Sequence, residues 1–285
     1  MTAPGEGTPS PGESGEKGTA AAGLDPVLDA ALNRFAETPR ILVALDFDGT
    51  LAPIVDDPMS ARALPESAAA IAELRGLPDT TVALVSGRDL ASLDALYPDS
   101  AGILIVASHG GEYRLGEDAG PEPTEAERAR VAALVQALER GAAGIAGAWV
   151  EPKPLGAAVH TRLAEQVSVP ALHGAVRAWV RANDPELSER TGKDVLEFSI
   201  LSATKGDGIA RLRAHTGADA VFYAGDDVTD EDAFAALESG DFGLKCGSGE
   251  TRAAHRVSGP QDVALVLRAL ARARASRAYA KTVTN

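Results

Sequence analysis

Two carboxylates two residues apart, Asp46 and Asp48, close the apolar run Ile41-Leu-Val-Ala-Leu45 and precede Gly49-Thr50. Five apolar residues followed by an acid predict a strand buried on both faces, as in a parallel sheet. If strand geometry persists, Asp46 and Asp48 project to one side, at the carboxyl end where open α/β sheets place their ligands. Carboxylates so close repel one another unless a cation or a proton compensates. Three more polar sets stand at strand ends or helix starts: Ser86, Lys205, and Asp226 with Asp227 and Asp230. Carboxyl ends of parallel strands share one edge, so the strand-end sets converge, and Lys205 has to reach that edge from the start of its helix. Residue types and order point to phosphoryl transfer through an aspartyl-phosphate.

In that chemistry Asp46 attacks phosphorus in line. Its charge and the phosphate's call for Mg²⁺ on hard oxygen ligands, supplied by Asp46, Asp226 and the backbone carbonyl of Asp48. Lys205 adds a second positive charge. Ser86 and the backbone N–H groups of Gly87 and Phe47 donate to the phosphoryl oxygens. Asp48 is expected to protonate the leaving alcohol and then to activate water. Taken singly, each set also fits a plain structural role: a Ser86-Gly87 turn, a helix-end lysine, a capped loop at Gly225–Asp227. Their joint occurrence in order is what argues for a site.

These residues need a strand–helix scaffold, and the chain has one. A short helix (24–35) leads into the strand at 41–45, and Pro65 opens a helix through Leu74. Strands follow at 81–85 and 102–107, separated by a helix at 89–96; this alternation predicts an α/β fold with a Rossmann-like, doubly wound parallel sheet. The pattern then changes. A capping box, Thr124-x-x-Glu127, opens a helix, followed by strands at 148–151 and 157–163. A second helix and a hairpin (187–190 and 195–200, turned at 191–193) complete an α+β unit. It is expected as a cap inserted over residues 112–200, splitting a core of 24–111 and 201–285, with hinges near Gly110-Gly111 and Ser202-Ala203. From Lys205 the alternation resumes, with strands at 220–224 and 242–246 and a closing helix at 261–275. Its basic residues (Arg268, Arg272, Arg274, Arg277, Lys281) suit a helix C-terminus.

A formal charge of −14 argues against nucleic acid or an anionic membrane as partner. The single cysteine, Cys246, excludes an internal disulfide and reads as a small buried residue. No apolar run approaches the ~20 residues needed to span a bilayer, and the N-terminus lacks a basic, then apolar leader, so a cytoplasmic location is expected. Residues 1–23 carry too little apolar surface to order and are expected to be a disordered tail.

The motifs Leu45-Asp-Phe-Asp-Gly-Thr-Leu-Ala-Pro53, Val85-Ser-Gly-Arg88, Thr204-Lys-Gly206 and Gly225-Asp-Asp-Val-Thr-Asp-Glu-Asp232 resemble the haloacid dehalogenase superfamily. Within it the chain is similar to the trehalose-6-phosphate phosphatases from about Arg40 to Val266. The resemblance implies Asp46 as nucleophile, Asp48 as acid/base, Ser86 and Lys205 as phosphate ligands, and Asp226 as metal ligand, with Asp227 and Asp230 as supporting or alternative metal contacts. Gly87 and Arg88 join the substrate-binding set through their motif. In the cap, Val150-Glu-Pro-Lys153, Val159-His-Thr-Arg162 and Gly192–Glu197 resemble the family's sugar-facing strands, implying contacts from Glu151, Lys153, His160, Arg162 and Glu197. A structural histidine is the competing reading of His160. Thr161 stands where the family usually has an aromatic, and Phe198-Ser199 where Arg-Pro is common. The implied substrate is trehalose 6-phosphate, in the last step of trehalose biosynthesis, with a functional link to a separate synthase. Sucrose phosphate, a glycosyl-phosphoglycerate, or a non-catalytic sensor role are the alternatives.

Overall fold

Asp25 accepts hydrogen bonds from the Val27 and Leu28 amides and so opens helix α1 (Pro26–Ala36). It begins a computed structural model that describes residues 24–100, 102–120, 122–192 and 194–284. The tail expected over 1–23, and Lys193 in the expected hairpin turn, lie outside the described residues. Strand–helix alternation follows: β1 (Ile41–Leu45), α2 (Pro65–Arg75), β2 (Thr80–Val85), α3 (Leu90–Leu96) and β3 (Leu104–Ala107). Two short strands come next, β4 (Glu112–Leu115) and β5 (Asp118–Ala119). The α+β unit consists of α4 (Glu125–Ala142), β6 (Trp149–Lys153), β7 (Gly156–His160), α5 (Val169–Asn183), β8 (Ser188–Gly192) and β9 (Val195–Ser199). Alternation then returns with α6 (Lys205–Thr216), β10 (Ala220–Gly225), α7 (Asp230–Ala235), β11 (Phe242–Cys246), β12 (His255–Val257) and α8 (Pro260–Thr284).

The larger sheet has the order β12-β11-β10-β1-β2-β3-β4-β5, parallel from β12 through β3. Side-chain alternation sorts its strands between two layers. Ile41, Val43 and Leu45 join Val82, Leu84, Phe222 and Ala224 under α1, α2 and α8. Leu42 and Ala44 join Ala83, Val85, Val221 and Tyr223 under α6 and α7. Apolar residues at every position are what a sheet covered on both faces requires. The doubly wound fold expected from the sequence is the one present. The smaller, antiparallel sheet, in the order β6-β7-β9-β8, packs Ala157, Val159, Leu196 and Phe198 against α4 and α5.

Three expectations change. Residues 112–119 were expected in the cap, yet β4 pairs antiparallel with β3, and β5 with β4, so they extend the larger sheet. The reversal is made at Ser108, His109 and Gly110, all at positive φ (49°, 56° and 110°), so Gly110-Gly111 is a turn inside that sheet rather than the crossing to the cap. Of the basic residues of α8, Arg268, Arg272 and Arg274 do not mark its end, because the helix continues to Thr284. Arg274 is instead buried in mid-helix. Its guanidinium donates to the carbonyls of Ala36, Thr38, Pro39, Pro78 and Asp79 and to Thr80 Oγ1, closing the chain entries to both β1 and β2. No helix among the described residues is long and apolar enough to cross a membrane.

Arg274→Ala leaves several buried carbonyls without a donor and is expected to destabilise the fold by about 3 kcal/mol. In a thermal melt this should lower Tm by roughly 6–12 °C. His109 makes a second prediction. Burial first, and then the charges of Lys205, Lys153 and Arg190, hold its imidazole well below the usual histidine range. The unfolded chain takes up this proton near pH 6.5, whereas the folded chain does not. Its contribution to stability is therefore whole above that pH and is lost as pH falls below it. Denaturant midpoints across pH 5–7.5 should fall less on acidification for His109→Asn, which tolerates positive φ, by at most about 1.4 kcal/mol per pH unit.

Candidate active site

Asp46 follows β1 directly, and its amide donates to Ala224 O at 3.0 Å, keeping it in register beside β10. Leu45 is level with Leu84 and Ala224, so Ser86 and Asp226 each sit one residue beyond the level of Asp46 on the flanking strands. By alternation Asp46 continues the series Leu42, Ala44 toward the α6–α7 layer. Lys205 lies in that layer, as the first residue of α6. A reciprocal capping box between Thr204 and Asp207 fixes the helix start. Its ammonium is buried and donates to Asp46 Oδ1 at 2.7 Å and to Asp230 Oδ1 at 2.6 Å.

Carboxylate oxygens of Asp46, Asp226 and Asp230 lie within 4.8 Å of one another. Asp230 is saturated: Lys205 and the Tyr223 hydroxyl (2.5 Å) donate to one oxygen, and the amides of Asp226 and Asp227 (2.8 Å each) to the other. Its oxygens are committed to holding Lys205 and the Asp226 loop, and this excludes it as a free ligand. Asp46 and Asp226 are the carboxylates left to bind a cation. Burial, and after it the charges of Asp230 and Asp226, push the Asp46 carboxyl well above its usual range in spite of Lys205. Burial and Asp230 push Asp226 up to about 6. Burial opposes the Lys205 charge, but Asp230 and Asp46 outweigh it and raise its pKa. Negative charge in this cluster is under-compensated, which suits a hard divalent cation on oxygen donors. Gly49, at φ 77°, brings backbone so close that a Cβ would overlap the Asp226 carboxylate.

Asp48 has a different partner. The chain leaves β1 and turns at Gly49, and Asp48 accepts a bidentate pair from Arg88 (2.5 and 2.7 Å). Arg88 also donates to Pro58 O at 2.9 Å. The two carboxylates expected on one side therefore bind different cations, Asp46 to Lys205 and Asp48 to Arg88. Ser86 is buried at the end of β2, and its hydroxyl accepts from the Arg88 amide at 3.2 Å, making a tight turn through Gly87. Gly87 has no room for a side chain, because His109 fills that space.

The positions on the face of the cap sheet opposite its apolar layer follow from strand alternation. Glu151 and Lys153 on β6, His160 on β7 and Glu197 on β9 share the face opposite the apolar layer. Lys153 donates to Glu197 at 2.6 Å and reaches Gly87 O across the interface at 3.3 Å. His160 Nε2 lies 2.8 Å from Glu151. The neutral His109 imidazole stands 4.0 Å from Glu197 without forming an ion pair. Arg162 does not join this group. β7 ends at His160, and Arg162 lies beyond it, donating to Val55 O of the core at 3.1 Å. Thr161 is buried and donates to Asp194 O.

Sequence reasoning missed Tyr223 and Lys245. Tyr223 lies within an unbroken apolar run, and nothing in that run marks its hydroxyl as a partner for Asp230. Lys245 is buried inside β11 and donates to Asp226 O at 2.5 Å, bracing the loop from behind. A lysine in the buried strand Phe242–Cys246 was the available signal. Asp227 is exposed and makes its contact to Asp230 through its amide.

The sequence matches the family model described as trehalose-phosphatase over residues 44–261. It is 37% identical over 207 residues to a trehalose-phosphate phosphatase of Mycolicibacterium paratuberculosis, covering 70% of this chain and 51% of that protein. The chain thus spans about half the length of the curated relatives it first matches. Among solved structures, the C-terminal domain of C. albicans trehalose-6-phosphate phosphatase superposes with a TM-score of 0.74 at 22% identity, over 86% of this chain and 96% of that one. An Aspergillus fumigatus trehalose-6-phosphate phosphatase superposes with a TM-score of 0.62 at 26% identity, over 88% and 98%. With three quarters of its length inside the family model and strand-end carboxylates on the shared fold, this chain belongs to the trehalose-phosphatase family.

Proposed function

We propose that this chain is a Mg²⁺-dependent phosphatase that hydrolyses trehalose 6-phosphate to trehalose and phosphate through an aspartyl-phosphate. The observation that carries this reading is the buried Asp46–Lys205 pair with Asp226 beside it, lying at the strand ends next to a charged sheet face. The names of its relatives support the sugar.

In this mechanism an Asp46 oxygen attacks phosphorus as the sugar–oxygen bond to phosphorus breaks. Lys205, the Ser86 hydroxyl and the Gly87 amide hold the phosphoryl oxygens as their charge redistributes. Asp48 gives a proton to the departing sugar oxygen, then takes one from water, which attacks phosphorus and releases Asp46. For this Asp48 must leave Arg88, whose guanidinium then turns to the phosphate or the sugar. Mg²⁺ would be held by Asp46, Asp226 and the Asp48 carbonyl, and when bound it supplies charge neutralisation between nucleophile and phosphate. Glu151, Lys153, His160 and Glu197 bind sugar hydroxyls with charge-assisted hydrogen bonds. Arg162 serves as a core–cap tether. In the cell the protein takes the last step of trehalose biosynthesis, in the cytoplasm, on the product of a separate synthase.

Phosphate release from trehalose 6-phosphate, sucrose 6-phosphate, glucosyl-3-phosphoglycerate and glucose 6-phosphate, with Mg²⁺ and with chelator, tests the reading. Mg²⁺-dependent preference for the first is expected. Preference for another member keeps the chemistry and removes the sugar, whereas silence across the panel favours a sensor. Asp46→Asn should lower turnover by at least about a thousandfold while the fold, read by circular dichroism, persists. Alanine at Glu151, Lys153 or Glu197 should raise KM for trehalose 6-phosphate about tenfold each. Unaltered KM in all three would remove the cap from sugar recognition.

A further inference from the structure

The charged face of the cap sheet ends in an aromatic pair whose tryptophan none of the roles above uses. Trp149 opens β6, His160 closes β7, and the two face each other in register. Their rings stack with centroids 3.9 Å apart and planes 8° apart. Glu151 holds the imidazole from its edge at 2.8 Å, so the pair is fixed from behind and from the side. Trp149 is nonetheless 40% exposed, and an indole left open to solvent forgoes the burial that such a large apolar surface normally gains.

Alternation puts Trp149, Glu151 and Lys153 on one face. At about 3.3 Å per residue the indole stands ~13 Å along the strand from Lys153. Lys153 is the end of this row that meets the core, at Gly87 O. A ligand anchored by its phosphate beside Ser86 and Gly87, and extended along β6, meets Lys153, then Glu151, then Trp149. Ala158, level with Glu151 on the neighbouring strand, carries only a methyl group, so the β7 side chain beside Glu151 is His160, two residues on. A pyranose ring matches such a surface: its axial C–H groups form an apolar face and its hydroxyls project from the rim. An indole offers flat apolar area with a negative π face, and Glu151 beside it accepts from rim hydroxyls.

We infer that Trp149, backed by His160, is the platform for the second, unphosphorylated ring of the substrate and sets the preference for a disaccharide phosphate over a monosaccharide phosphate. The inference rests on the sugar-phosphate reading above, and two experiments separate their failures.

The first compares kcat/KM on trehalose 6-phosphate and glucose 6-phosphate. Trp149→Ala should lower the ratio between the two substrates by about tenfold, mainly through KM for the disaccharide, and Trp149→Phe should restore most of it. Equal losses on both substrates would mean that Trp149 only supports the cap, and would overturn the inference. The second uses Trp179→Phe protein, in which Trp149 is the only remaining tryptophan. Titration with neutral trehalose should give a saturable change in indole fluorescence, and glucose a much weaker one. A flat response to trehalose overturns the platform even if phosphatase activity is normal. A saturable response in a protein without phosphatase activity upholds the platform and removes the catalytic reading instead.

Discussion

A lysine ammonium with almost no access to water, shared between Asp46 and Asp230, is the interaction on which the rest of this site depends. Charges taken out of water are costly unless they are paired and fully hydrogen-bonded, and each part of the surrounding structure meets that demand. Asp230 turns two oxygens to four donors. Tyr223 supplies one from inside the sheet, and the turn after β10 supplies two amides. The capping box of α6 sets where Lys205 emerges. What remains uncompensated is the negative charge of Asp46 and Asp226, on the side where a cation and a phosphate would enter. The fold therefore pairs the lysine with two carboxylates and leaves the carboxylates in excess, and this asymmetry favours a site over a structural ion network.

The same period of two organises both halves of the molecule. In the larger sheet it sends Leu42, Ala44 and then Asp46 toward α6, so the nucleophile candidate meets Lys205 because it extends a core face. In the smaller sheet it divides Val150 from Glu151, Val159 from His160 and Leu196 from Glu197. One face packs on α4 and α5, and the other carries charge. A slip of one residue in either sheet would exchange chemistry for packing at every position. Register is therefore as much a functional constraint as a structural one.

This explains what was legible in the sequence. Long apolar runs ending in acids, and a Thr204-Lys205 helix start, are local signals, and the structure brings them together as alternation requires. Other features depended on contacts distant in sequence. Glu112-Tyr-Arg-Leu115 is too polar to read as part of the sheet, and becomes so through an antiparallel turn at Ser108–Gly110 whose positive φ values no propensity shows. Arg274 looked like one of several helix-end cations, because nothing local says that six oxygen acceptors from two distant loops surround it. Asp48 looked like the twin of Asp46 until Gly49 turned the chain and gave it to Arg88. Arg162 was expected, by resemblance, on a sugar-facing strand at 157–163, but that strand ends two residues before it.

Among the described residues, the polar contacts between the two halves include Lys153 to Gly87 O, Arg162 to Val55 O, and Arg190 to Ala203 O. Each such bond, with its charged donor, contributes about 1.5–3 kcal/mol net, less than the apolar layers within either half. None of these contacts touches the Asp46–Lys205–Asp230 cluster, which is anchored wholly in the larger sheet and its helices. All three of these contacts use cations. Lys153 already holds Glu197, and Arg162 stands 3.6 Å from Asp56. An anionic ligand between the halves would compete for such cations, exchanging bonds to neutral carbonyls for bonds in which both partners are charged. The candidate reacting carboxylates and the charged cap face thus sit in different sheets, joined by contacts that a ligand would alter.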